Sequence, residues 1–98
     1  MTPEKCMTMA EVRAGVDETD RQIVELIVQR FGFMDAAARI KQDRSTVRDE
    51  RRKAEVLAHI GNRAREAGVD PAAMVRMYDD LIEASIAHEL RAFDRIRG

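Results

Sequence analysis

One segment decides most of what this chain can fold into. After Thr8 no proline appears until Pro71, and an apolar stripe of Val12, Val16, Ile23, Ile27, Met34 and Ala38 runs at helical spacing along the first half of that stretch. Thr8-Met9-Ala10-Glu11 reads as a capping box, the threonine accepting from an early N–H and the glutamate reaching back. The spacing predicts one helix over about residues 9–42, roughly 50 Å long at 1.5 Å per residue. Gly15 and Gly32 fall inside it, each costing about 1 kcal/mol relative to alanine, yet the stripe runs through both. A helix that long exceeds what a 98-residue globule needs, which points to a second copy of the chain.

The remainder reads as two more helices. Residues 43–48 form a polar break, and Asp49 suits a helix N-terminus. Helix 2 is expected over about 49–67, burying Val56, Leu57, Ile60 and Ala64 and stopping at Gly68. Asp70-Pro71 restarts the chain as N-cap and first helical residue. Helix 3 then covers about 71–95, with Met74, Tyr78, Leu81, Ile82, Ile86 and Phe93 facing inward. No sustained period-2 run of β-branched residues competes with this pattern. The expectation is an all-α single domain over residues 1–98, with long, medium and long helices in an intertwined homodimer. Aromatic residues make up only 4% of the chain, so the core must be aliphatic. A lone domain of this size buries only a modest fraction of its surface, and sharing a core would help.

Composition removes several classes of function. Charged residues reach 36%, and no apolar run approaches the roughly 20 residues of a membrane-spanning helix, so no membrane partner is expected. The N-terminus lacks a basic stretch followed by an apolar core. Cys6 is the sole cysteine and reads as a small apolar residue rather than a catalytic thiol. Both features lead to an expected cytoplasmic location. A formal net charge of −1 argues against nucleic-acid binding through bulk charge. Arg44, Arg48, Arg51, Arg52 and Lys53 do cluster, but Asp43, Asp49 and Glu50 interrupt them, which fits a solvated face or a small-anion site. His59 and His88 read as surface residues, and no metal-ligand spacing is convincing.

The informative residues are polar ones on apolar stripes. Arg30 and Lys41 are eleven apart on helix 1, about 20° past three full turns and roughly 16 Å along one face. Two cations on an aliphatic face need anionic partners, supplied either by internal carboxylates or by a ligand. Helix 3 repeats the pattern, with Tyr78, Ser85 and Glu89 in its inward stripe. That glutamate either pairs with Arg30 or Lys41 or belongs to a site. Arg13 lies seventeen residues before Arg30, about 100° off its face and roughly 25 Å away. If Arg13 serves such a pocket, the pocket belongs to another copy.

These residues resemble a known family. The run from Arg13 through Val16, Asp17, Asp20, Ile23, Leu26 and Ile27 to Arg30, followed by Ala36-Ala37-Ala38-Arg39-Ile40-Lys41, is similar to helix 1 of the all-helical chorismate mutases. Val47-Arg48-Asp49-Glu50-Arg51-Arg52 resembles their loop and helix 2 start, and Leu81–Glu89 their helix 3. The resemblance implies a cofactor-free, one-step rearrangement of a dicarboxylate, chorismate, to prephenate, catalysed by orientation and by stabilising charge on the breaking ether oxygen. It implies that Arg30 grips one carboxylate and that Arg13 from the partner subunit grips the other. Lys41 and Glu89 would serve the ether oxygen, Glu89 only when protonated. Asp49 and Ser85 would bind the ring hydroxyl region, and Arg52 would assist a carboxylate. Lys53 and Glu89 depart from the family, many members of which carry Glu and Gln there. Isochorismate pyruvate lyases share this fold and site, forming salicylate and pyruvate, and Thr2-Pro3-Glu4-Lys5-Cys6 resembles their start. Ile82-Glu83-Ala84-Ser85 resembles the mutases, which places the mutase activity first and the lyase second. A non-catalytic helical dimerisation or regulatory module is the remaining alternative.

Overall fold

The computed structural model describes residues 2–98 and is all-α. Three helices, α1 (Met9–Ile40), α2 (Glu50–Ala67) and α3 (Pro71–Arg97), are joined by short connections, with 3₁₀ turns at Pro3–Lys5 and Arg44–Thr46. No membrane-spanning helix is present among the described residues.

The helix boundaries follow local chemistry. Thr8 Oγ1 accepts from Glu11 N at 3.1 Å, while Glu11 Oε1 accepts from Met7 N at 3.2 Å, so the capping box closes one residue earlier than its usual reciprocal bond. α1 stops two residues short of the expected end. Asp43 adopts an extended backbone and its carboxylate accepts from Ser45 N at 2.9 Å, nucleating the 3₁₀ turn within the polar break. Asp49 caps α2 by accepting from Arg52 N at 3.0 Å. Gly68 ends α2 at φ 78°, a left-handed conformation that costs other residues more. Asp70 accepts from Ala72 N at 3.1 Å with Pro71 behind it, and α3 then runs two residues past its expected end.

The chain divides into two compact units at Gly32–Phe33. In the first unit, none of the described residues is buried. Val12, Val16, Ile23 and Leu26, all on α1, are 38%, 52%, 46% and 64% exposed. The Val12, Val16 and Ile23 part of the apolar stripe therefore has no cover within this unit, whereas Ala38, further along the same stripe, is buried in the second unit.

The second unit, Phe33–Gly98, holds the core. Ala38, Val47, Ile82, Ile86, Ala92 and Phe93 form its buried cluster, with Val56, Leu57, Tyr78 and Leu90 packed against it. The core is aliphatic apart from Phe93 and the flanking Tyr78. Of the inward residues expected on α3, Ile82, Ile86 and Phe93 are buried, whereas Met74, Tyr78 and Leu81 are half-buried.

Candidate active site

Two polar side chains lie inside the second unit's core. Ser85 is 2% exposed and Glu89 3%, one helical turn apart on α3. Their shared face puts both against the aliphatic cluster, where a carboxylate needs a cationic partner. Lys41 supplies it, its Nζ donating to Glu89 Oε2 at 2.8 Å. This is the pairing the sequence left open between Arg30 and Lys41. Lys41 itself stands one residue beyond α1, not on it, although its N–H still donates to Ala37 O at 2.8 Å. Its side chain is 31% exposed, so the pair has a buried acid end and a wetter basic end. The part-exposed ammonium can donate to an oxygen-rich molecule arriving from solvent, with the carboxylate buried behind it.

Ser85 Oγ donates to Leu81 O at 2.7 Å, so the hydroxyl proton is used within α3. Asp49 is exposed and holds the N-cap of α2, a structural duty that accompanies any role toward a ligand. Arg52 is exposed, and its Nη1 lies 3.6 Å from Glu55 Oε2 on the same helix. Arg30 and Arg13 belong to the first unit, where Arg30 is half-buried and Arg13 exposed.

Several contacts were not legible beforehand. Lys53 Nζ lies 2.8 Å from both Asp79 Oδ1 and Glu83 Oε2, tying α2 to α3. Arg48 adds a two-pronged contact to Glu83, at 2.7 and 3.1 Å. The lysine that departs from the family pattern is thus matched by two carboxylates on the facing helix. His88, read as a surface residue, is half-buried, with Nε2 2.7 Å from Asp35 Oδ1. Helix-internal spacing could not reveal it, because the aspartate comes from α1. Arg44 pairs with Asp94 at 2.9 Å, so part of the basic cluster is spent on intramolecular anions. Among the described residues, no group of three potential metal ligands converges.

The Glu83 contacts carry a pH prediction. Hydrogen bonds from Arg48, then from Lys53, pull its carboxyl down to about 2. A carboxyl whose folded value lies below its unfolded value, roughly 4.3, stabilises the fold above the unfolded value. That contribution is lost as pH falls toward 2. Thermal melts from pH 6 to pH 2 should show a steeper acid-side loss in the wild type than in Glu83→Gln. Parallel curves would mean that the tie contributes nothing measurable.

The family described as chorismate mutase type II matches residues 12–90. That span includes Arg13, Arg30, Lys41, Asp49, Arg52, Ser85 and Glu89. An isochorismate pyruvate lyase from Pseudomonas aeruginosa is 28% identical over 97 residues, covering 99% of this chain and 96% of that protein.

Proposed function

The chain belongs to the chorismate mutase type II family, and we propose that it is a chorismate mutase, converting chorismate to prephenate in aromatic amino-acid biosynthesis. Family membership makes it an enzyme of the chorismate-metabolising kind. The observation that supports a site for enolpyruvyl-ether chemistry is the Lys41–Glu89 pair, a 2.8 Å contact between a part-exposed ammonium and a carboxylate in the aliphatic core, and the resemblance of Ile82-Glu83-Ala84-Ser85 to the mutases puts the mutase reading first. Rearrangement of an enolpyruvyl ether breaks a C–O bond as a C–C bond forms, and negative charge grows on the ether oxygen. A positioned ammonium stabilises that charge more in the transition state than in the ground state.

In this reading Lys41 donates to the ether oxygen and a nearby carboxylate. Glu89 donates to the same oxygen when it carries a proton, since an ionised carboxylate can only accept. Arg30 binds one substrate carboxylate, Arg13 of the partner subunit binds the other, and Arg52 assists. Asp49 and Ser85 face the ring hydroxyl region. The reaction needs no nucleophile and no cofactor. A homodimer built on α1 completes the site and covers the apolar stripe of residues 9–32.

The Pseudomonas aeruginosa relative supports a second reading, release of pyruvate and salicylate from isochorismate, because its similarity runs nearly the full length of both chains. The same donors serve both reactions, since each breaks an enolpyruvyl ether bond. A bacterial strain lacking chorismate mutase separates them. Expression of this chain should restore growth without phenylalanine and tyrosine. Failure to do so, with salicylate formed in isochorismate-producing cells, would favour the lyase reading.

The role of Glu89 gives a further test. Glu89→Gln supplies a permanent donor of the same shape and should keep kcat/KM within a few-fold of wild type, whereas Glu89→Ala removes the donor and should lower it about tenfold or more. Equal losses in the two variants would return Glu89 to the role of a salt-bridge partner only.

A further inference from the structure

We infer that Arg97 is a positioning residue for Lys41, fixing the backbone from which that side chain reaches the site. The inference rests on the reading that Lys41 acts on the substrate. The last four carbonyls of a helix have no intrahelical donor, and Lys41 follows α1 directly. Its N–H occupies Ala37 O. The next carbonyl, Ala38 O, accepts from Arg97 Nη1 at 3.0 Å. The carbonyl of Lys41 accepts from Arg97 Nη2. One guanidinium thus closes two acceptors at the point where the helix ends, and its charge complements the negative end of the helix dipole.

The guanidinium is itself held. It lies 3.6 Å over the ring of Phe93, a core residue only 6% exposed and one turn earlier on α3. Stacking fixes its plane, and the two carbonyls fix its edge. A lysine could match neither the planar stack nor the two-pronged grip. α3 therefore holds Lys41 at two points, Arg97 at the root through the main chain and Glu89 at the tip through Nζ. Residues 89 and 97 are eight apart, roughly 12 Å along the helix. Without Arg97, the carbonyls of Ala38 and Lys41 would lose this donor, and the main chain of Lys41 would keep its own N–H bond to Ala37 O. Small misplacements of a donor are expensive in a reaction that depends on orientation.

The test uses Arg97→Met, which retains an apolar chain over Phe93 and removes the guanidinium's hydrogen bonds to the carbonyls of Ala38, Lys41 and Phe93, and Arg97→Lys, which keeps the charge. With chorismate or isochorismate, whichever the wild type turns over, Arg97→Met should lower kcat about tenfold with KM changed less than twofold. Arg97→Lys should recover less than half of that loss. In a Lys41→Met background, Arg97→Met should have no further effect on kcat, because the residue it positions is gone. Equal losses in the two backgrounds, or an unchanged kcat, would overturn the inference. A second readout does not depend on turnover. The coupling between Lys41→Met and Glu89→Gln, measured by urea denaturation, should fall by at least half when the cycle is repeated in an Arg97→Met background. If neither substrate reacts with the wild type but the coupling falls, the functional reading fails while the positioning of Lys41 stands. An undiminished coupling would refute the positioning itself. Should Arg97→Met not fold, the same cycle in Arg97→Lys gives the same decision.

Discussion

Lys41→Met should lower kcat/KM for chorismate by roughly 10²–10³-fold, the loss usual when one donor aimed at transition-state charge is removed. On sequence grounds, removing Lys41 is expected to leave the helical fold intact and even to stabilise it, because an unpaired cation would leave an apolar face. The structure changes that. Glu89 is 3% exposed and pairs with Lys41, so the substitution leaves a carboxylate in the core without this partner. Breaking a fully buried pair from one side costs about 3–5 kcal/mol. Here the lysine end is 31% exposed, so a loss on the order of 2 kcal/mol is expected. The double variant Lys41→Met/Glu89→Gln removes both charges and should regain most of that stability without regaining activity. Urea denaturation and steady-state kinetics on the two variants separate the roles. Recovery of activity along with stability would mean that the pair only holds the fold together.

Charging the apolar face of α1 should abolish both assembly and activity. Ile23 and Leu26 are 46% and 64% exposed, and no described residue of their unit is buried. An isolated helix gains little stability in water, so this face needs a cover. A second copy of the chain is expected to supply it. Ile23→Asp/Leu26→Asp should convert a dimer to a monomer in sedimentation, with lost helical signal from residues 9–32 and activity below one percent of wild type, an estimate that follows from losing the carboxylate grip of Arg13 from the partner subunit. A compact monomer with full activity would contradict the dimer. Mixing adds a sharper test. Arg13→Ala and Arg30→Ala homodimers should each be nearly inactive, because each lacks one carboxylate contact at every site. After exchange at equal amounts, half of the dimers would be mixed, each with one intact site, so activity should return to about a quarter of wild type. No recovery would place Arg13 and Arg30 in the same protomer's site or outside the site altogether.

The helices were legible because their signals are local. The capping box at Thr8, the Asp49 and Asp70 caps and the left-handed Gly68 each act within a few residues. The Glu89 anomaly was legible too, since a carboxylate in an apolar stripe stands out at helical spacing. Its partner was not decided, because Arg30 and Lys41 occupy one sequence stripe and only the fold selects between them. The ends of α1 and α3 shifted for reasons the stripe does not carry. Asp43 bonds its own turn, and Arg97 reaches back to the end of α1. The Lys53–Glu83 and Asp35–His88 contacts were not legible because each joins different helices, and single-helix periodicity is blind to such pairs. Arg97 left one local trace, its position four residues after Phe93, which a C-terminal arginine shares with many solvated ones.

Supplying the purified protein with chorismate and isochorismate separately, with the products identified by NMR, decides the reaction most directly. Prephenate is expected from chorismate at a rate far above the uncatalysed rearrangement, with that rate lost in Lys41→Met. No acceleration with chorismate, accompanied by salicylate and pyruvate from isochorismate, would contradict the mutase assignment.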